Sequence, residues 1–131
     1  MDSPFPELAV LVQDIADKVL YMPSFVVNLG MSVISGTIEK KINYDIMDLK
    51  PILSAKKLQI PCVFIVGKDD NLVLPERVKE MYNVYKGNRK IYLESSSDHG
   101  GEREESIYIQ CLNFVGEEFL RLRALNPDHY G

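Results

Sequence analysis

Apolar residues recur at helical spacing along "PELAVLVQDIADKVL", where Leu8, Leu11, Val12, Ile15 and Val19 share one face. Pro6 suits a first helical turn, and Met22-Pro23 ends the segment. "SFVVNLGMSVISGTIEKKI" reads as a second, more hydrophobic helix, weakened by Gly30 and Gly36. In "DIMDLKPILSAKKL", Pro51 either opens a short helix or ends a turn. The pattern then changes. "IPCVFIVG" is a continuous apolar run rich in β-branched residues, as expected of a strand buried on both faces of a parallel sheet. "PERVKEMYNVYKG" is helical, with Val78, Met81, Tyr82 and Tyr85 on one face and Gly87 as a C-terminal stop. "RKIYLES" is a second strand. "EREESIYIQCLNFVGEEFLRLRAL" is the longest helix, with Ile107, Cys111, Leu112, Phe114, Val115, Phe119 and Leu122 expected to face inward. Its acidic start and its Arg121 and Arg123 near the end suit the helix dipole.

The order is helices, strand, helix, strand, helix, which predicts an α/β fold with a right-handed βαβ crossover. A length of 131 residues allows one domain and not two ordinary ones. Within it, residues 1–58 form a helical segment, 59–125 hold the two strands with their flanking helices, and 126–131 are a tail. No internal repeat or low-complexity linker is present.

A hydrophobic share of 46% with 26% charged residues is a globular composition. The net charge of −4 excludes the clustered basic surface on which nucleic-acid binding depends, and "EKKINY" reads as a solvated helix end. No run reaches the roughly 18 apolar residues of a membrane span, and "MDSPFPE" lacks the core of a secretory signal. A cytoplasmic protein is the resulting expectation. Cys62 and Cys111 lie among apolar neighbours without CxxC or Cys/His spacing, so both are read as reduced core thiols, with no metal and no cofactor implied.

Functional groups of an open α/β sheet gather beyond the carboxyl ends of its strands. The first strand is followed there by "GKDDNLVLP" and the second by "SSSDHGG". A carboxylate and an imidazole would thus emerge at one rim, as an orienting acid and a general base require. Either loop alone is ordinary turn chemistry; the two together, in this order, point to a site.

The spacing from Gly67 through Asp70 to Val73 resembles the G-x-x-D-x-x-V acid loop of α/β-hydrolases, and Asp98-His99 with Arg103 resembles their terminal histidine loop. "DSPF" at Asp2–Phe5 is similar to the segment after the sixth strand in their serine aminopeptidase-like, lid-bearing branch. "YDIMDLKPILSAKKLQIPCVFIVGKDD" and "YKGNRKIYLESSSDHGGERE" resemble a plant and protist subgroup of that branch, so the likeness runs from Asp2 to about Phe119. It implies the C-terminal portion of an α/β-hydrolase fold, with lid-like helices before a truncated sheet. Asp70 is then the orienting acid and His99 the base, with Asp69 the second-choice acid and otherwise a turn or capping residue.

The family's nucleophilic serine lies on a G-x-S-x-G elbow ahead of "DSPF", and no such elbow occurs in this chain. "GMSVI" at Gly30–Ile34 begins like one, but it ends on β-branched Ile34 and falls in a helical segment, so Ser32 is set aside. Ser95, Ser96 and Ser97 stand too near His99 in sequence and read as polar loop filler, and His129 as an exposed tail residue.

The expectation is therefore a fragment of a serine hydrolase acting on an ester, thioester or amide, with a small-molecule or peptide substrate. The alternative is a non-catalytic interaction module on a degenerate hydrolase scaffold. Loss of the early strands predicts an unpaired sheet edge, bared helix faces and self-association, as in a homodimer pairing sheet edges.

Overall fold

A computed structural model describes residues 1–42 and 48–130. The last part of "EKKINY" and the "YDIM" of the following phrase, at 43–47, lie outside the described residues. Helix α1 spans Leu8–Ile15 and continues as a π-helical turn over Ala16–Leu20. Tyr21, at φ 53°, turns the chain out of it. Helix α2 covers Ser24–Ile42, and Pro51 opens the short helix α3, Pro51–Ala55. Strand β1, Cys62–Gly67, and strand β2, Lys90–Ser95, are joined through α4, Pro75–Val84. Helix α5 occupies Glu105–Leu125, and the stretch expected to be tail forms a further turn, α6, over Pro127–Tyr130.

The strands pair in parallel from Cys62 opposite Lys90 to Gly67 opposite Ser95, giving the α/β class expected. Alternate residues Cys62, Phe64 and Val66 are buried, whereas Val63 and Ile65 are only half-buried. The expectation of burial on both faces is thus corrected. The reason is width: two strands with one well-packed crossover helix give one dry face. Ile52 and Ala55 of α3 and Val78, Met81 and Tyr85 of the α4 segment close on Phe64 and Val66 to form the main core. Phe64 meets Tyr82 and Tyr85 edge to face, and the Tyr85 hydroxyl donates to the Ile60 carbonyl at 2.8 Å.

Two further expectations change. Helix α4 stops at Val84, before Gly87, and no described glycine has positive φ. Gly87 is instead a close-approach residue: a Cβ there would meet the Tyr85 ring at 2.6 Å and the Gln59 and Ile60 backbone at 3.2 Å. On α5, Ile107 is buried, but Leu112, Val115 and Phe119 are 71%, 61% and 53% exposed and Leu122 is also exposed. Cys111 is half-buried, so only Cys62 is a core thiol. A 21-residue helix outruns a six-residue strand. What fixes its middle is Glu118, buried between Arg89 and Arg121 and held below the ordinary carboxylate range as those guanidiniums outweigh the upward push of burial.

The expected unpaired sheet edge is met at β2, which among the described residues pairs with β1 alone, but not at β1. Met1–Ser3 lies along it as a parallel bridge: the Met1 ammonium donates to the Val63 carbonyl at 2.7 Å, the Ile65 amide to Met1 at 2.8 Å and the Ser3 amide to Ile65 at 2.9 Å. Helices α1 and α2 make a second, smaller cluster of Ala16, Val27 and Met31. It is tied to α4 by a two-pronged ion pair, Arg77 Nε and Nη2 to the Asp14 carboxylate at 2.8 and 3.0 Å.

Candidate active site

Asp70 and His99 meet at the carboxyl ends of β1 and β2. The Asp70 side chain is fully buried. Its Oδ1 accepts the amides of Leu72 and Val73 at 2.9 and 2.8 Å, an arrangement that closes its own turn. That leaves Oδ2 aimed at His99 Nδ1, 2.9 Å away. Burial pushes the Asp70 carboxyl up, but hydrogen bonds from His99, Val73, Leu72 and Ser3 outweigh it and hold the group below its ordinary value. A carboxylate only accepts, so Nδ1 carries the proton and Nε2 is left as the basic atom. The His99 side chain is 41% exposed. Asp69, its neighbour's alternative, is exposed in the turn.

Gly67 explains why the two loops can converge. A Cβ there would stand 2.4 Å from the Ser97 carbonyl oxygen and 2.9 Å from that of Asp98, so any side chain would drive the histidine loop off the acid loop.

Sequence reasoning placed Arg103 in the histidine loop without a role, and it missed Ser95 and Glu104. Arg103, buried, donates to Asp2, Ser97 and the Asp98 carbonyl. Ser95 is not loop filler: it is fully buried at the end of β2, and its hydroxyl reaches Glu104 at 2.7 Å and Ser97 at 2.6 Å. Glu104 also accepts from the Ser96 hydroxyl and, at 2.7 Å, from the Ser96 amide. The signal was available in "SSSDHGGERE", where a carboxylate follows three hydroxyls at loop-closing distance.

These hydrogen bonds from Ser96 and Ser95 lower the Glu104 carboxyl from 4.5 to about 2. A folded value below the unfolded one gives stability that is present above the unfolded value and lost as pH falls through the folded one. The stability difference between the native chain and Glu104→Gln is therefore expected to be constant above about pH 5 and to vanish between pH 4.5 and 2, as read by denaturant melts across that range.

Among the described residues no serine hydroxyl is hydrogen-bonded to His99. Ser32 is exposed in the middle of α2, with no strand leading into it and hence no elbow. His129 lies in the α6 turn.

Two parallel strands presenting an acid and a histidine at one rim place the chain among α/β folds of hydrolase type. The family model described as Serine hydrolase (FSH1) matches residues 10–100, a span that includes both Asp70 and His99. The chain belongs to this serine hydrolase family, which accords with an α/β-hydrolase-like superfamily. No curated protein and no solved structure matches it.

Proposed function

We propose that this chain is the C-terminal part of a serine-type α/β-hydrolase of the lid-bearing, serine aminopeptidase-like branch, cleaving an ester, thioester or amide. The observation that carries the reading is the Asp70–His99 hydrogen bond, with the acid buried, ionised and facing Nδ1. In such a site His99 Nε2 takes the proton of a serine hydroxyl as its oxygen attacks the substrate carbonyl. The same nitrogen then returns that proton to the leaving group, and water releases the acyl enzyme by the reverse relay. Asp70 holds the tautomer and stabilises the imidazolium without itself taking the proton. The serine is supplied by an elbow outside these 131 residues, and no cofactor is needed.

Helices α1 and α2 act as the lid. Together with Met22 between them they line an open hollow of about 360 Å³ whose walls are apolar side chains, among them Val12, Ile15 and Met31, which suits an apolar portion of the substrate. The apolar face of α5 and the outer edge of β2 suit association with a second copy, and equilibrium sedimentation is expected to show a dimer. A cytoplasmic location and a small-molecule or peptide substrate complete the proposal.

The test is labelling with a fluorophosphonate. The 131-residue chain is expected to take up no label, and the same chain preceded by its G-x-S-x-G elbow is expected to be labelled and to hydrolyse p-nitrophenyl esters. If the elongated chain neither labels nor turns over, Asp70 and His99 belong to a non-catalytic binding module instead.

A further inference from the structure

His99 has one side-chain partner among the described residues, Asp70, and it stands in an exposed loop that also contains Gly100 and Gly101. What holds that loop in place must therefore come from elsewhere. Arg103 Nη1 donates to the Ser97 hydroxyl at 2.5 Å and to the Asp98 carbonyl at 2.8 Å, fixing the two residues that lead into His99. The other side of the same guanidinium grips Asp2, with Nη2 to Oδ1 at 2.7 Å and Nε to Oδ2 at 3.3 Å, and Nη2 also reaches the Ser3 hydroxyl at 3.3 Å.

Ser3 connects this fork to the acid. It is buried at φ 44°, a left-handed conformation that a serine holds only where its surroundings impose it, and such residues gather at functional sites. Its hydroxyl donates to Asp2 and accepts from Arg103, and its amide is bonded to Ile65 of the strand that delivers Asp70. One guanidinium thus ties the backbone before the base to the segment bonded along the strand that delivers the acid.

We propose that Arg103 and Ser3 are positioning residues that hold His99 Nδ1 on Asp70 by clamping the histidine loop to the Asp2-Ser3 bridge on β1. The assignment rests on the reading of Asp70 and His99 as an acid–base pair. Only a planar fork with donors on several sides reaches Asp2, Ser97 and the Asp98 carbonyl together, so lysine cannot replace it.

The experiment is ¹⁵N and ¹H NMR of the 131-residue chain, reading the His99 tautomer and the downfield Nδ1 proton of its bond to Asp70. Arg103→Gln is expected to abolish the downfield resonance and turn a fixed Nδ1–H tautomer into a mixture, and Arg103→Lys is expected not to restore it. Arg77→Gln, which breaks the Asp14 pair and removes no bond to Asp70 or His99, controls for lost stability and is expected to leave both signals intact. Ser3→Gly removes the hydroxyl while relieving the left-handed backbone, so it folds even where Arg103→Gln does not, and it is expected to broaden or shift the resonance. Unchanged His99 signals in Ser3→Gly and in either folded Arg103 variant would overturn the inference, as would an equal loss in Arg77→Gln. Asp70→Asn separates the two claims: signals unaltered by that change sink the acid–base reading itself, whereas signals lost there but kept in the Arg103 and Ser3 variants sink only the clamp.

Discussion

Asp70→Asn, made in a chain that carries the serine elbow, is expected to lower kcat for p-nitrophenyl ester hydrolysis by about four orders of magnitude, or about 5 kcal/mol of transition-state stabilisation. The geometry explains why so small a change costs so much. The Leu72 and Val73 amides donate to Oδ1, so an asparagine keeps its carbonyl on that side and the turn survives. Its amide group then faces His99 Nδ1, where a donor stands in place of the acceptor. The imidazole answers by carrying its proton on Nε2, the atom that must accept the serine proton. Circular dichroism should remain native while turnover is lost. A loss below about tenfold would show that Asp70 does not orient the base.

Phe64→Ala is expected to cost about 3–5 kcal/mol, a large part of the roughly 5–15 kcal/mol that holds a typical domain together. Phe64 is wholly buried, and its ring contacts Tyr82 and Tyr85 with centroids 5.6 and 5.4 Å away. Deleting the ring removes both the transfer energy and the edge-to-face contacts, and the β1–α4 layer cannot close the void without drawing the strands apart. Leu112→Ala, at a position 71% exposed on α5, is expected to change stability by less than about 0.5 kcal/mol. Urea melts of the two variants side by side distinguish the core that packs from the one periodicity suggested. Equal losses would mean that the α5 face is covered in solution.

The contrast between those two positions also shows what a sequence can and cannot convey. Strands β1 and β2, helix α4 and the convergence of Asp70 with His99 were legible, because each follows from local patterning plus the rule that parallel strands deliver their loops to one rim. The inward face of α5 was not, since periodicity says which residues share a face and says nothing of whether a partner exists to cover it. Nor could spacing reveal that Asp14 would find Arg77, or Asp2 find Arg103, each pair being far apart in the chain. Ser3 is the extreme case. Its left-handed backbone is held by bonds to two other segments, at Arg103 and Ile65, and no property of serine announces it.

The separation of the two apolar clusters sets the order in which the molecule loosens. Among the described residues the α1–α2 cluster rests on three buried side chains, tied to the sheet layer by Leu11 and the Asp14–Arg77 ion pair, while the sheet core draws on nine buried residues. Cooperative opening should therefore begin at the helical end at a smaller free energy than global unfolding, with amide exchange in α2 fast beside that of β1. Such an opening leaves Asp70 and His99 assembled, because their supports run through β1, the Met1–Ser3 bridge and Arg103. Under the proposed function, the helical end breathes to admit or release a guest while the Asp70–His99 pair keeps its alignment.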